Sequence, residues 1–290
     1  AGRAAPSAAS DGSLPVCLIY MGGTAGMIRS NLLDRSSPIV TATTCEEIIP
    51  LYRDALQELP FVIDLWHADL IVDSANLGPS DWYSIADYIR ELYRAYQGFV
   101  LVQGTDTMAF TASALSFVFS NLDIPIVLTG SEQPPCYLIN DGVHNLTHAL
   151  QVAGAESLGL PIVREVSVFS GMKLLRGNRA RKTHAQSSFE AFNSPNCEPL
   201  AQVEDRIEVN TAALRTSRSG SGREMVLKLG PPSISDMRPY SSGWSGHFFA
   251  SSFINRASIS RMMSINRGSN RLNNETDQRS NASGSSVWFV

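Results

Sequence analysis

The chain carries only four cysteines in 290 residues, Cys17, Cys45, Cys136 and Cys197, and no two of them form a CxxC pair. With no histidine cluster to join them, they exclude the usual zinc sites and suit a reduced, cytoplasmic setting, so no metal and no cofactor is expected. No run approaches the roughly 18 apolar residues that a membrane span requires. The first 13 residues, AGRAAPSAASDGS, lack the apolar core of a signal peptide and are expected to form a disordered leader. An excess of one charge is missing too. Lys+Arg number 23 against 27 Asp+Glu, which gives a net charge of −4 and predicts no nucleic-acid or membrane partner. That balance conceals a division, because residues 1–214 carry a net −10 and residues 215–290 a net +6. Lysine is scarce: Lys173, Lys182 and Lys228 are all there are.

What the chain does have is alternation. PVCLIY (15–20), FVIDL (61–65), LIVDS (70–74), GFVLVQ (98–103), IPIVLTG (124–130) and REVSVFS (164–170) read as short apolar strands. Helical periodicity falls between them, over 44–58, 79–96, 108–122 and 141–158, with Pro79 suited to a first helical turn. Strands alternating with helices predict an α/β fold with a mostly parallel sheet covered on both faces. In such sheets the loops at the carboxyl ends of the strands form the ligand crevice. After residue 214 only MVLKL (225–229) reads as a strand, and the last 50 residues, with 13 Ser and 6 Asn, show no sustained period and are expected to be partly disordered.

Chemistry-bearing residues gather in those loops. GGTAG (22–26) has neither the GxGxxG pattern of a dinucleotide loop nor the GK[ST] ending of a phosphate loop. Two readings remain for it: a tight turn in which Thr24 is only a cap, or exposed backbone N–H groups beside a nucleophilic hydroxyl, as acyl transfer requires. In VQGTDTMA (102–109), Gly104 permits the turn while Thr105 and Asp106 either cap the next helix or supply a second hydroxyl and a carboxylate. A threonine hydroxyl needs a base. Lys182 in RGNRARKTH is either a surface lysine or that base, held by Asp106, with His184 as the rival.

Taken in order, YMGGTAGM, VDSANLGPSDW, GFVLVQGTDTMAFTASALSFVFSNL, TGSEQPP, DGVHNL and KLLRGNRARKTHAQSSFEAFNSPN resemble the bacterial-type L-asparaginases, especially the cytoplasmic type I branch. The resemblance spans roughly residues 14–235. It extends to the amidase subunit that converts Glu-tRNA(Gln), whose extra domain before the glycine loop has no counterpart in the 13 leading residues. It implies a large three-layer α/β domain, here residues 14–214, followed by a small domain that is truncated or divergent over residues 215–290. It also implies a homodimer or a homotetramer of paired dimers, and hydrolysis of the small-molecule substrate L-asparagine to L-aspartate and ammonia. By motif, Thr24 resembles the primary nucleophile and Thr105, Asp106 and Lys182 the second catalytic set. Asp73, Ser74, Ala75, Gly104, Thr105 and Asp106 resemble the substrate-binding residues, with Ser74 on the α-carboxylate and Asp106 on the α-ammonium.

The departures from the family are as specific as the matches. Gln103 replaces the His of HGTDTM, Ala75 a polar residue, Glu132 the neutral amide of GSQ, Val143 the Arg of DGR, and Arg181 a Thr before the lysine. The segment after the glycine loop, NLLDRSSP, offers only Ser36 or Ser37 to orient the nucleophile. These differences keep two other readings open: an impaired homologue that binds an amino acid or pairs with an active relative, and an amidohydrolase acting on glutamine or another amino-acid amide.

Overall fold

VCLIY is apolar on both faces, which suits a central strand. In the computed structural model, which describes residues 12–215 except 32, 68–70, 72 and 185–188, together with 226 and 227, it is an interior strand but stands one place in from the edge of the main sheet rather than at its centre. Strand β1 (Val16–Tyr20) is wholly buried. After it come β2 (Met27–Arg29) and β3 (Ile39–Thr41), an antiparallel pair, then α1 (Cys45–Gln57) and β4 (Ile63–His67). Helix α2 (Pro79–Leu92) starts on Pro79, and the Asp81 carboxylate reaches back to the Gly78 N–H at 2.8 Å. Strand β5 (Gly98–Val102), helix α3 (Met108–Val118), the short β6 (Phe119–Ser120) and β7 (Ile126–Thr129) follow, then α4 (Gly142–Ala153), α5 (Ala155–Leu158) and β8 (Val166–Ser170). The remainder is strand: β9 (Lys173–Arg176), β10 (Arg181–Lys182), β11 (Phe192–Asn193), β12 (Ala201–Val203), β13 (Ile207–Val209) and β14 (Val226–Leu227).

Eight strands form the main sheet in the order β13-β12-β9-β8-β7-β5-β1-β4. The five from β8 to β4 run parallel. Period-two alternation splits their side chains between two cores. Cys17, Ile19, Phe99 and Leu101 meet Ile85, Ile89 and Leu115 of α2 and α3 on one face, while Val16, Leu18, Tyr20 and Val100 meet Ile48, Tyr52, Leu146 and Leu150 of α1 and α4 on the other. The expected three-layer α/β architecture with a mostly parallel sheet is therefore present.

The structure differs from the expectation in several places. Ile71 and Asp73 lie outside any strand, because the Asp73 carboxylate accepts the Ala75 N–H at 3.0 Å and turns the chain into a 3₁₀ turn over Ser74–Asn76. The helix expected over 108–122 ends at Val118, where Phe119 and Ser120 pair antiparallel with Leu227 and Val226 of the strand read at MVLKL. The helix over 141–158 breaks at Gly154, where a Cβ would fall 2.3 Å from the Phe61 ring. Beyond Ser170 the parallel pattern turns antiparallel, since Gly171 and Met172 at φ 57 and 66 make a tight hairpin between β8 and β9. The leader up to residue 11, the rest of the divergent small domain and the disorder expected there lie outside the described residues.

Candidate active site

The glycine loop leaves β1 and lies directly on the loop that leaves β5. Gly22 and Gly23 have φ of 103 and 88, backbone that favours glycine. A Cβ on Gly23 would fall 2.3 Å from the Gly104 nitrogen, so the contact is closed to any side chain. Thr24 opens a single 3₁₀ turn, Thr24–Gly26, and is half-buried. Two tyrosines fix the turn: Tyr52 donates its hydroxyl to Ala25 O at 2.8 Å, and Tyr20, packed against Gly26, donates to Ala42 O at 3.1 Å.

Gly104 is also where Ser74 arrives. An added Cβ on Gly104 would stand 2.7 Å from Ser74 Oγ, and the Thr107 hydroxyl donates to Ser74 O at 2.7 Å. Ser74 is buried, whereas Asp73 and Ala75 are exposed. Asp73 is engaged as the cap of its own turn, and Ala75 offers no polar atom beyond its backbone.

Thr105, Asp106 and Lys182 meet. Lys182 comes from β10, at the far end of a long excursion, and its Nζ donates to Thr105 Oγ1 at 2.7 Å and to Asp106 Oδ1 at 2.9 Å. Thr105 is buried and the Asp106 carboxylate is 71% exposed. A third group completes the cluster, Glu132 Oε1 at 3.1 Å from the same Nζ. Burial alone pulls the Lys182 pKa down, but hydrogen bonds and attraction from Asp106 and Glu132 outweigh it and hold the ammonium above the ordinary lysine range. The geometry suits a proton relay through Thr105. At rest, however, the proton sits on Lys182, which donates to the hydroxyl rather than accepting from it.

Glu132 is itself fixed by the loop after β7. Its N–H is shared between both oxygens of Asp141 at 3.0 Å, and the Gln133 N–H reaches Asp141 Oδ1 at 3.0 Å. Asn145, one turn along α4, donates to Gly130 O at 2.9 Å and to Asp141 Oδ2 at 3.0 Å. Burial pushes the Asp141 carboxyl above the usual carboxylate range, against these hydrogen bonds. Sequence reading flagged Glu132 only as a substitution and gave DGVHNL no chemical role. The available signal was an Asp heading a helix with an Asn four residues on.

The other expected candidates are placed elsewhere. His184 is exposed and has no bond to this cluster among the described residues. Ser36 donates to Asp34 Oδ1 at 2.6 Å and Ser37 to Asp34 O at 2.8 Å, so both hydroxyls serve their own turn. Gln103 is fully buried, donates to Gly104 O at 3.3 Å, and leaves Oε1 without a hydrogen-bond partner among the described residues. All four cysteines are free thiols. Among the described residues no cluster of His, Cys, Asp and Glu could hold a metal ion, and no helix is long and apolar enough to cross a membrane.

The sheet thus brings two threonine loops together across glycine backbone, with a lysine brought to one of them. The profile of the family described as "Asparaginase, N-terminal" matches residues 15–215, and the chain belongs to this asparaginase family. It is 38% identical over 220 residues to L-asparaginase 1 of Escherichia coli (strain K12), covering 76% of this chain and 61% of the relative. It is 40% identical over 170 residues to the 60 kDa lysophospholipase of Mus musculus, covering 59% of this chain and 29% of the relative. The crystal structure of L-asparaginase I from Vibrio cholerae superposes with a TM-score of 0.63 at 37% identity, covering 76% of this chain and 62% of that one. The chain thus spans about three fifths of the length of the Escherichia coli relative.

Proposed function

We propose that this chain is an L-asparaginase, hydrolysing L-asparagine to L-aspartate and ammonia through an acyl-threonine at Thr24. The single observation that carries the reading is the convergence of Lys182 on Thr105 and Asp106, at 2.7 and 2.9 Å, in the loop that the Thr24 loop touches. In this reading the Thr24 hydroxyl attacks the side-chain amide carbon and its proton passes to the departing amine, which leaves as ammonia. Water then cleaves the ester and returns the proton to Thr24. Thr105 and Lys182 carry protons to and from the crevice once Lys182 is neutral. Ser74 holds the substrate α-carboxylate and Asp106 its α-ammonium, and Asp73, Ala75 and Gly104 line that end through their backbone.

Residues 14–214 serve as the catalytic domain, a reading supported by the family match over 15–215, with 215–290 as a divergent small domain. The working form is a cytoplasmic homodimer or homotetramer, as the resemblance to the type I branch implies. One observation favours an alternative, an impaired homologue that binds an amino acid without turnover: the Glu132–Lys182 ion pair, which keeps the lysine charged. Ammonia release from asparagine, glutamine and a neutral amide, with calorimetric binding of aspartate, separates the readings. Release from asparagine above the others supports the asparaginase; aspartate binding with no release supports the impaired form.

A further inference from the structure

Two carboxylates reach Lys182, and they are not equivalent. Asp106 is 71% exposed, so water screens its pull, whereas Glu132 is 9% exposed and acts through a drier medium. Glu132 Oε1 is buried, and the Lys182 ammonium 3.1 Å away is what compensates its charge. Its backbone is anchored, because the Glu132 N–H is held by both oxygens of Asp141, itself 5% exposed and tied to Asn145. The titratable and charged groups on the packed elements are Asp106 from the loop after β5, Glu132 from the loop after β7 and Asp141 at the head of α4, behind Glu132. Arg181 and His184, on the lysine's own segment, are exposed and form no ion pair with these groups among the described residues.

We propose that Glu132 is a positioning residue that pins the Lys182 ammonium against Thr105 and thereby sets the acid limb of the reaction's pH profile. The pH profile rests on the hydrolytic reading above; the titration of Lys182 does not. A relay that needs the neutral amine gains it only as the pH approaches the lysine's own titration, so a buried anion 3.1 Å away moves that limb upward.

The test uses the full chain with lysine labelled by ¹³C at Cε, which gives three lysine signals, that of Lys182 assigned by its loss in Lys182→Arg. Glu132→Gln keeps the backbone N–H that Asp141 accepts and removes only the charge. Its Lys182 midpoint is expected to fall by about 1 unit or more. In kinetics the acid limb of kcat/KM falls by the same amount, a gain of about tenfold per unit below the limb. A Lys182 midpoint unchanged in Glu132→Gln overturns the proposal. Should Glu132→Gln fail to fold, the unsubstituted protein still decides: the proposal requires Lys182 to titrate above the ordinary lysine value of 10.5, and a midpoint at or below it is contrary. A shifted midpoint in a protein that releases no ammonia upholds the clamp while rejecting the hydrolytic reading.

Discussion

Lys182 Nζ lies 2.7 Å from Thr105 Oγ1 although 77 residues separate them in sequence. The contact exists because the chain, after β9 has paired antiparallel with β8, brings β10 back to the loop that leaves β5. Its value to a reaction depends on the proton that Lys182 carries. Because that ammonium is held above the ordinary lysine range, its contribution to folding is full below about pH 10.5 and is lost as the pH rises through the higher folded-state value. In the hydrolytic reading proposed above, which needs neutral Lys182, activity is expected to rise with pH, and the upward shift moves that rise to higher pH. Below the limb, log kcat/KM should climb with a slope of about one per pH unit, read from steady-state ammonia release.

Gly23→Ala tests the touch between the two loops. The substitution places a methyl group 2.3 Å from Gly104 N at a backbone φ of 88. Loss of about 1–3 kcal/mol is expected, from strain and from displacement of the loop, together with loss of hydrolysis. Denaturant unfolding measures the first, and an ammonia assay the second.

Asp141→Ala should act at a distance from the chemistry. It strands the N–H groups of Glu132 and Gln133 and removes the Asn145 partner, at a cost of about 1–3 kcal/mol for each group left buried and unpaired. Unfolding by urea, with the slope unchanged, reports the loss.

Arg176→Ala probes the far side of the sheet. Glu165, 3% exposed, takes two hydrogen bonds from the Arg176 guanidinium at 2.6 and 3.1 Å, and the same guanidinium donates to Ala213 O at 2.6 Å. Removing it leaves the buried carboxylate with Arg215 at 3.6 Å. A cost of about 3–5 kcal/mol is expected by calorimetry.

The layered sheet was legible because its signal is local. Each of β1, β5, β7 and β8 is a short apolar run bounded by breakers, and burial on both faces demands such runs. The break at Gly154 was not legible, since it depends on Phe61 arriving from a distant segment. The turn at Ser74 was hidden by the apolar run before it, with Asp73 as its only sign. In the site, Thr24, Thr105, Asp106 and Lys182 stood out through motif, but Glu132 did not. Composition marks a substitution, whereas an ion pair across loops 50 residues apart belongs to tertiary structure. Ser36 and Ser37 were candidates because the family's lid carries a hydroxyl residue shortly before a proline, yet here their hydroxyls close the turn that carries them.

Ammonia release from L-asparagine, compared between the purified chain and Thr24→Ala, decides whether the Thr24 hydroxyl does the chemistry. Release by the first and a loss of at least about 1,000-fold in the second are expected, with aspartate binding retained by calorimetry. Release that continues unchanged in Thr24→Ala would contradict that role.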